Sequence, residues 1–290
     1  MFKLKFLLKL PAFSRVIYFI SGFILFSVFS SATAIAQGDL MLFPKRVVFE
    51  GSKKSYELNL ANTGKDTARY NISIINYRMK EDGSFEKITQ PGAGENFAID
   101  YLRFFPRSVT LAPNEAQVVK IQLTKTNLMS PGEYRSHVYF RSVPTEKPLG
   151  EKESTPNKDS TISVQLIPVF GISIPVIIRV GESTAKVTLS DCSLEIENNI
   201  PRLKMIFNRT GNRSVYGDIT VNYISPKGKI TRVGIVKGLA VYTPNPFRRL
   251  QLNLDEVAGI DYRSGKLHIV YTAQADSKSA KLAEAELVLR

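Results

Sequence analysis

The sequence predicts an all-β chain built as two successive sandwiches, and three observations predict it. Apolar residues recur at every second position, turn chemistry interrupts them at short intervals, and no long amphipathic helical pattern intervenes.

Residues 1–36 stand apart from the rest. Lys3, Lys5, Lys9 and Arg15 precede an apolar run over 16–29, and Ser30, Ser31, Ala32 lead into Ala34-Ile35-Ala36, a small-residue end for cleavage before Gln37. We expect a cleaved export signal there. The alternative is a retained anchor, because 16–36 approaches the ~20 apolar residues of a spanning helix.

Tyr56, Leu58 and Leu60 alternate with Glu57 and Asn59, and Tyr70, Ile72 and Ile74 alternate with Asn71 and Ser73. Val119, Ile121 and Leu123 alternate with Lys120 and Gln122, and a further strand is expected over 134–140. Asn62-Thr63-Gly64, Asp82-Gly83, Pro113-Asn114 and Pro131-Gly132 supply the reversals.

The stretch 144–160 holds Glu, Lys, Pro, Ser and Asn with almost no apolar side chains, so a mobile loop is expected. Residues 161–180 follow as an apolar, β-branched run of about twenty positions, longer than the 3–10 residues of an ordinary strand. Ile162, Val164 and Leu166 alternate there with polar neighbours. Pro175 has no amide hydrogen to donate and belongs at an edge or bulge.

Short strands resume around 185–189, 203–207, 219–224, 250–252, 267–271 and 283–288. Gly211-Asn212, Pro226-Lys227-Gly228 and Pro244-Asn245-Pro246 separate them. The boundary is placed at Gly181-Glu182-Ser183, giving a first domain over 38–180 and a second over 183–290.

The formal net charge is +13, and the four leader cations leave about +9 on the remainder. Lys and Arg are interspersed with Asp and Glu and form no dense run, so the balance reads as solubility and attraction to acidic partners; no nucleic-acid partner is expected. Cys192 is the single cysteine, so an exported chain must draw its stability from buried apolar area, with no internal disulfide. With His137 and His268 as the only histidines and no acidic pair at metal-ligand spacing, we expect no enzyme, no catalytic residues, no metal and no cofactor. His137 is expected as an ordinary strand histidine, and Cys192 as a small residue opening a strand.

Several segments carry a family resemblance. Arg46-Val47-Val48-Phe49-Glu50-Gly51 followed by Lys53 and Lys54 looks like the first strand of the PapD-like periplasmic chaperones. Phe105-Pro106-Arg107-Ser108-Val109-Thr110-Leu111-Ala112-Pro113-Asn114, then Asn127-Leu128 and Gly132-Glu133-Tyr134-Arg135-Ser136-His137, follow in the family's order. Gly171-Ile172-Ser173-Ile174-Pro175-Val176-Ile177-Ile178-Arg179 resembles the last strand of its first domain, in the archaic or stand-alone branches. The resemblance spans most of 40–180 and extends to 208–218.

The resemblance implies two immunoglobulin-like sandwiches in an L or boomerang. It implies a periplasmic chaperone that caps pilus or fimbrial subunits by donating an edge strand, with an outer-membrane usher as a further partner and membrane contact only through the export signal. Ile162, Val164 and Leu166 are then the donor residues. The family anchors the subunit's terminal carboxylate with an arginine and a lysine. Arg46 matches the arginine, whereas the lysine position falls at or near Pro175, with Arg135 or Arg179 as substitutes. The alternative function is a structural or adhesive cell-surface protein on the same sandwich scaffold.

Overall fold

The computed structural model describes residues 40–144, 169–182, 184–274 and 280–289. The expected export signal, residues 145–160 of the expected loop, and Ile162, Val164 and Leu166 lie outside the described residues.

The first sandwich begins with a strand that changes sheets. β1 (Leu40–Phe43) pairs antiparallel with β3 (Ser55–Asn62), which pairs with β8 (Ala116–Leu123) and through it with β6 (Leu102–Phe105). Four residues later β2 (Val47–Phe49) enters the opposite sheet, parallel to β10 (Gly171–Val180). That sheet continues antiparallel through β9 (Gly132–Val143) to β4 (Ala68–Met79), which also carries β5 (Phe85–Ile88) and β7 (Ser108–Leu111). The alternation seen in the sequence sorts the two faces. Leu58, Leu60, Val119 and Ile121 point inward from one sheet, and Ile72, Val138, Phe140, Val176 and Ile178 from the other, closing one apolar core.

The second sandwich consists of β11 (Ala185–Glu197), β12 (Ile200–Gly211) and β15 (Phe247–Asn253) against β14 (Ile230–Val241), β13 (Val215–Ile224), β16 (Lys266–Ala273) and β17 (Lys281–Val288). Leu203, Met205, Phe207, Ile219, Val221, Leu267, Ile269 and Tyr271 fill its core. Phe207 meets Tyr271 edge to face at 5.2 Å, and the Tyr271 hydroxyl, buried, donates to the Leu239 carbonyl.

Three features depart from the period-two reading. β14 was not expected, because register shifts in its pairing with β13 and the residues Gly234 and Gly238 break its alternation. β11 runs to Glu197 through an irregularity between Ser190 and Ser193, so Cys192 sits half-buried in mid-strand and does not open one. Burial, then the Asp191 charge, pushes its thiol up, away from the reactive thiolate. Asn198 and Asn199, both at positive φ, form the two-residue turn joining β11 to β12.

Candidate functional site

The pairing of β2, β10 and β9 brings three sequence-selected arginines to one face of the β2-β10-β9-β4 sheet. In the β9–β10 register Pro175 lies opposite His137, Ile177 opposite Arg135 and Arg179 opposite Glu133. β2 begins pairing at Val47 opposite Val176, so Arg46 stands just ahead of it on the far side of β10. This face meets the second sandwich through Ile177, Met79 and Val48 packed with Ala240, Tyr242 and Tyr216.

The three arginines have different surroundings. Arg179 is fully engaged: its Nε donates to Glu133 at 3.2 Å, one Nη donates to Glu50 at 3.1 Å, and the other donates to the Ser214 carbonyl. Glu133 is buried and additionally accepts from the Ser214 amide and hydroxyl and from the Thr243 hydroxyl. Arg179 therefore serves as a tie between the sandwiches, a role the sequence reading did not give it.

Arg46 stacks over Tyr216 at 4.4 Å and lies 5.5 Å from the Tyr242 ring centre, with an Nη donating to the Tyr242 hydroxyl at 3.4 Å. Arg135 lies 4.1 Å from the same Tyr242 ring and is only 8% exposed. One Nη donates to the Tyr77 carbonyl at 3.1 Å, and among the described residues the other has no partner. Burial, the dominant cause, lowers the Arg135 pKa. Among the described residues neither Arg46 nor Arg135 is ion-paired with a carboxylate.

His137 is buried next to them, edge-on to Tyr77 at 5.1 Å and Phe85 at 5.8 Å. Burial, then the charges of Arg135 and Arg46, push its pKa down to about 3, and its Nδ1 also lacks a partner among the described residues. Sequence reading treated it as an ordinary strand histidine; its position two residues from Arg135 on the same face was the available signal.

The second element of the site is the edge of β10. Along its β9 side pairing is continuous from Gly171 to Val180, and the ladder is prolonged by the Ser142 amide donating to the Phe170 carbonyl at 2.9 Å. On its other side β2 pairs only with Val176 to Ile178. Residues 171–175 therefore leave one backbone edge unpaired among the described residues. Pro175 sits at the end of that free stretch, where a missing amide donor costs no ladder bond. Phe170 at 51% and Ile172 at 39% are exposed along it, two residues that the sequence reading did not select.

Among the described residues no helix is long and apolar enough to cross a membrane, and no group of three His, Cys, Asp or Glu is placed to hold a metal ion.

No protein-family model matches this chain, and no curated protein sequence matches it. Among solved structures it is similar to the Pseudomonas aeruginosa CupB2 chaperone at 15% identity and a TM-score of 0.40, over 86% of this chain and 100% of that one. A chain of the Salmonella enterica SafA pilin–SafB chaperone complex is similar at 15% identity and a TM-score of 0.42, over 88% and 99%. A chain of the chaperone–tip adhesion subunit complex CsuC–CsuE, from archaic chaperone-usher pili of Acinetobacter baumannii, is similar at 11% identity and a TM-score of 0.42, over 87% and 99%.

Proposed function

We propose that this protein is a periplasmic chaperone that caps fibre subunits of the pilus type by lending them the free edge of β10 and the segment that precedes it. The observation that carries this reading is the one-sided pairing of residues 171–175, with Phe170 and Ile172 exposed beside it. An unpaired edge offers backbone bonds for affinity, and alternating apolar side chains offer register. The alternation runs back through Leu166, Val164 and Ile162, which extend the donor strand in this proposal. Burying three such side chains contributes roughly 5–9 kcal/mol before the costs of association.

Arg46 is the proposed anchor of the client's terminal carboxylate. Its guanidinium is held by two tyrosine rings and has no carboxylate partner among the described residues. The domains take the spans 38–180 and 183–290, the leader is cleaved after Ala36, and delivery runs to an outer-membrane usher.

Co-purification from cell envelopes tests this. The wild-type chain is expected to retain fibre subunits that Val164→Asp with Leu166→Asp loses, with both proteins folded by circular dichroism. Equal recovery of subunits would falsify the donor role, and finding the mature chain at the cell surface favours the adhesive alternative.

A further inference from the structure

We propose that Tyr139 and Arg141 select the strand that pairs with the free edge of β10, by receiving an acidic side chain of that strand on the outer face of the sheet beside Gly171. The proposal rests on the reading of that edge as the client-binding edge and names the client chemistry that fits it.

A glycine inside a strand weakens it, and its usual justification is an unusual backbone conformation or the close approach of another group. Gly171 is not among the glycines at positive φ, so its backbone does not demand the residue. The space above it does, because a Cβ built there falls on the hydroxyl and ring carbons of Tyr139. Tyr139 pairs with Ser173, which makes it a diagonal neighbour of Gly171 on the same face, within reach of an aromatic side chain. The ring therefore lies across β10 with its hydroxyl over Gly171. That places the hydroxyl one strand spacing, about 4.8 Å, from the lane in which an added strand runs. No hydrogen-bond partner for it occurs among the described residues.

The only charges in the rows around that hydroxyl are positive. Arg141 stands directly opposite Gly171, and Arg69 on β4 is the diagonal neighbour of Arg141. Both arginines are exposed, and among the described residues neither is ion-paired. Asn71, Ser73 and Ser173, their neighbours on this face, are neutral.

An acidic side chain on the outer face of the added strand accepts from the Tyr139 hydroxyl and is attracted by Arg141, whereas a lysine there meets like charge. The inner face of the same strand packs on Phe170 and Ile172, which alternate with Gly171 and Ser173 along the chain. Apolar side chains hold the client on one face of β10, and Tyr139 with Arg141 discriminates on the other.

The test uses capped peptides of alternating Val and Thr on the purified, processed protein, differing only at one central Thr, replaced by Asp, Asn or Lys. A further peptide carries the Asp in place of a neighbouring Val, which keeps the net charge and moves the acid to the apolar face. Binding is read by fluorescence anisotropy of a label on the peptide. The Asp peptide is expected to bind at least about tenfold more tightly than the Lys peptide, and moving the acid to the apolar face is expected to remove the gain. Tyr139→Phe, which removes only the hydroxyl, and Arg141→Gln are each expected to shrink the preference for Asp over Asn, and together to abolish it. Equal binding of the Asp and Lys peptides to the wild type overturns the proposal. So does an equal gain from the shifted acid, or a preference undiminished in the double variant. Phe170→Asp tests the edge itself and is expected to weaken every peptide. A wild type that binds none of the peptides, or a Phe170→Asp protein that binds all of them unchanged, sinks the edge reading and the selector with it. Unselective wild-type binding that Phe170→Asp abolishes sinks the selector alone.

Discussion

Glu133 of the first sandwich accepts the backbone amide of Ser214 of the second at 3.0 Å, and accepts the hydroxyl of the same residue as well. With Arg179 and Thr243 on its remaining lone pairs, this buried carboxylate is fully satisfied by groups from both sandwiches. Its negative charge offsets Arg179, which lies between it and Glu50.

Glu133→Ala is therefore expected to cost about 3 kcal/mol or more, because it leaves Arg179 and the Ser214 amide without their shared acceptor. Chemical denaturation of the purified variant checks this. A loss under about 0.5 kcal/mol, the range of surface substitutions, contradicts the network.

His137 gives the protein an acid-side dependence with a definite sign. Its folded pKa of about 3 lies below the unfolded value of 6.5, so the unfolded chain binds the extra proton between those values. Stability is full above about pH 6.5 and falls as the pH drops towards 3, by about 1.4 kcal/mol per unit at most. Lowered carboxylates such as Glu95 act in the same direction, so the informative quantity is the difference from His137→Gln. The variant is expected to lose less stability between pH 6 and 4 than the wild type, and parallel curves refute the assignment.

Phe170 and Ile172 are exposed, so replacing them leaves the protein's own core intact. Phe170→Asp with Ile172→Asp is expected to change the melting temperature by no more than a few degrees while reducing client recovery strongly. A cooperative loss of folding instead marks them as core residues.

Gly217 on β13 marks a close approach in the second sandwich. A Cβ there meets the Thr272 carbonyl oxygen at 2.1 Å and the Tyr271 ring at 2.9 Å, neither of which is a flexible side-chain end free to move away. Gly217→Ala is expected to destabilise by about 2 kcal/mol, measured as a lower denaturation midpoint at unchanged slope. A neutral outcome means that the two strands separate more easily than the packing implies.

Period-two alternation located the half-buried strands, because on a sheet with one wet face each inward residue is apolar and its neighbour polar. Leu58 and Leu60 on β3 and Val119 and Ile121 on β8 were readable for that reason, and all four are buried. β14 was not readable, since bulges shift its register and hand both faces mixed chemistry.

The candidate site divides in the same way. Composition, alternation and a resemblance of motifs by themselves determined an all-β chain and singled out Arg46, Arg135 and Arg179. Only the tertiary structure showed how their surroundings differ, because these depend on partners far away in the chain. Ser214 and Glu133 consume Arg179, and Tyr242, more than a hundred residues beyond Arg135, draws it beside Arg46. Which side of β10 stays unpaired among the described residues was likewise set by where β2 begins its parallel ladder, a long-range pairing with no local signature in either segment.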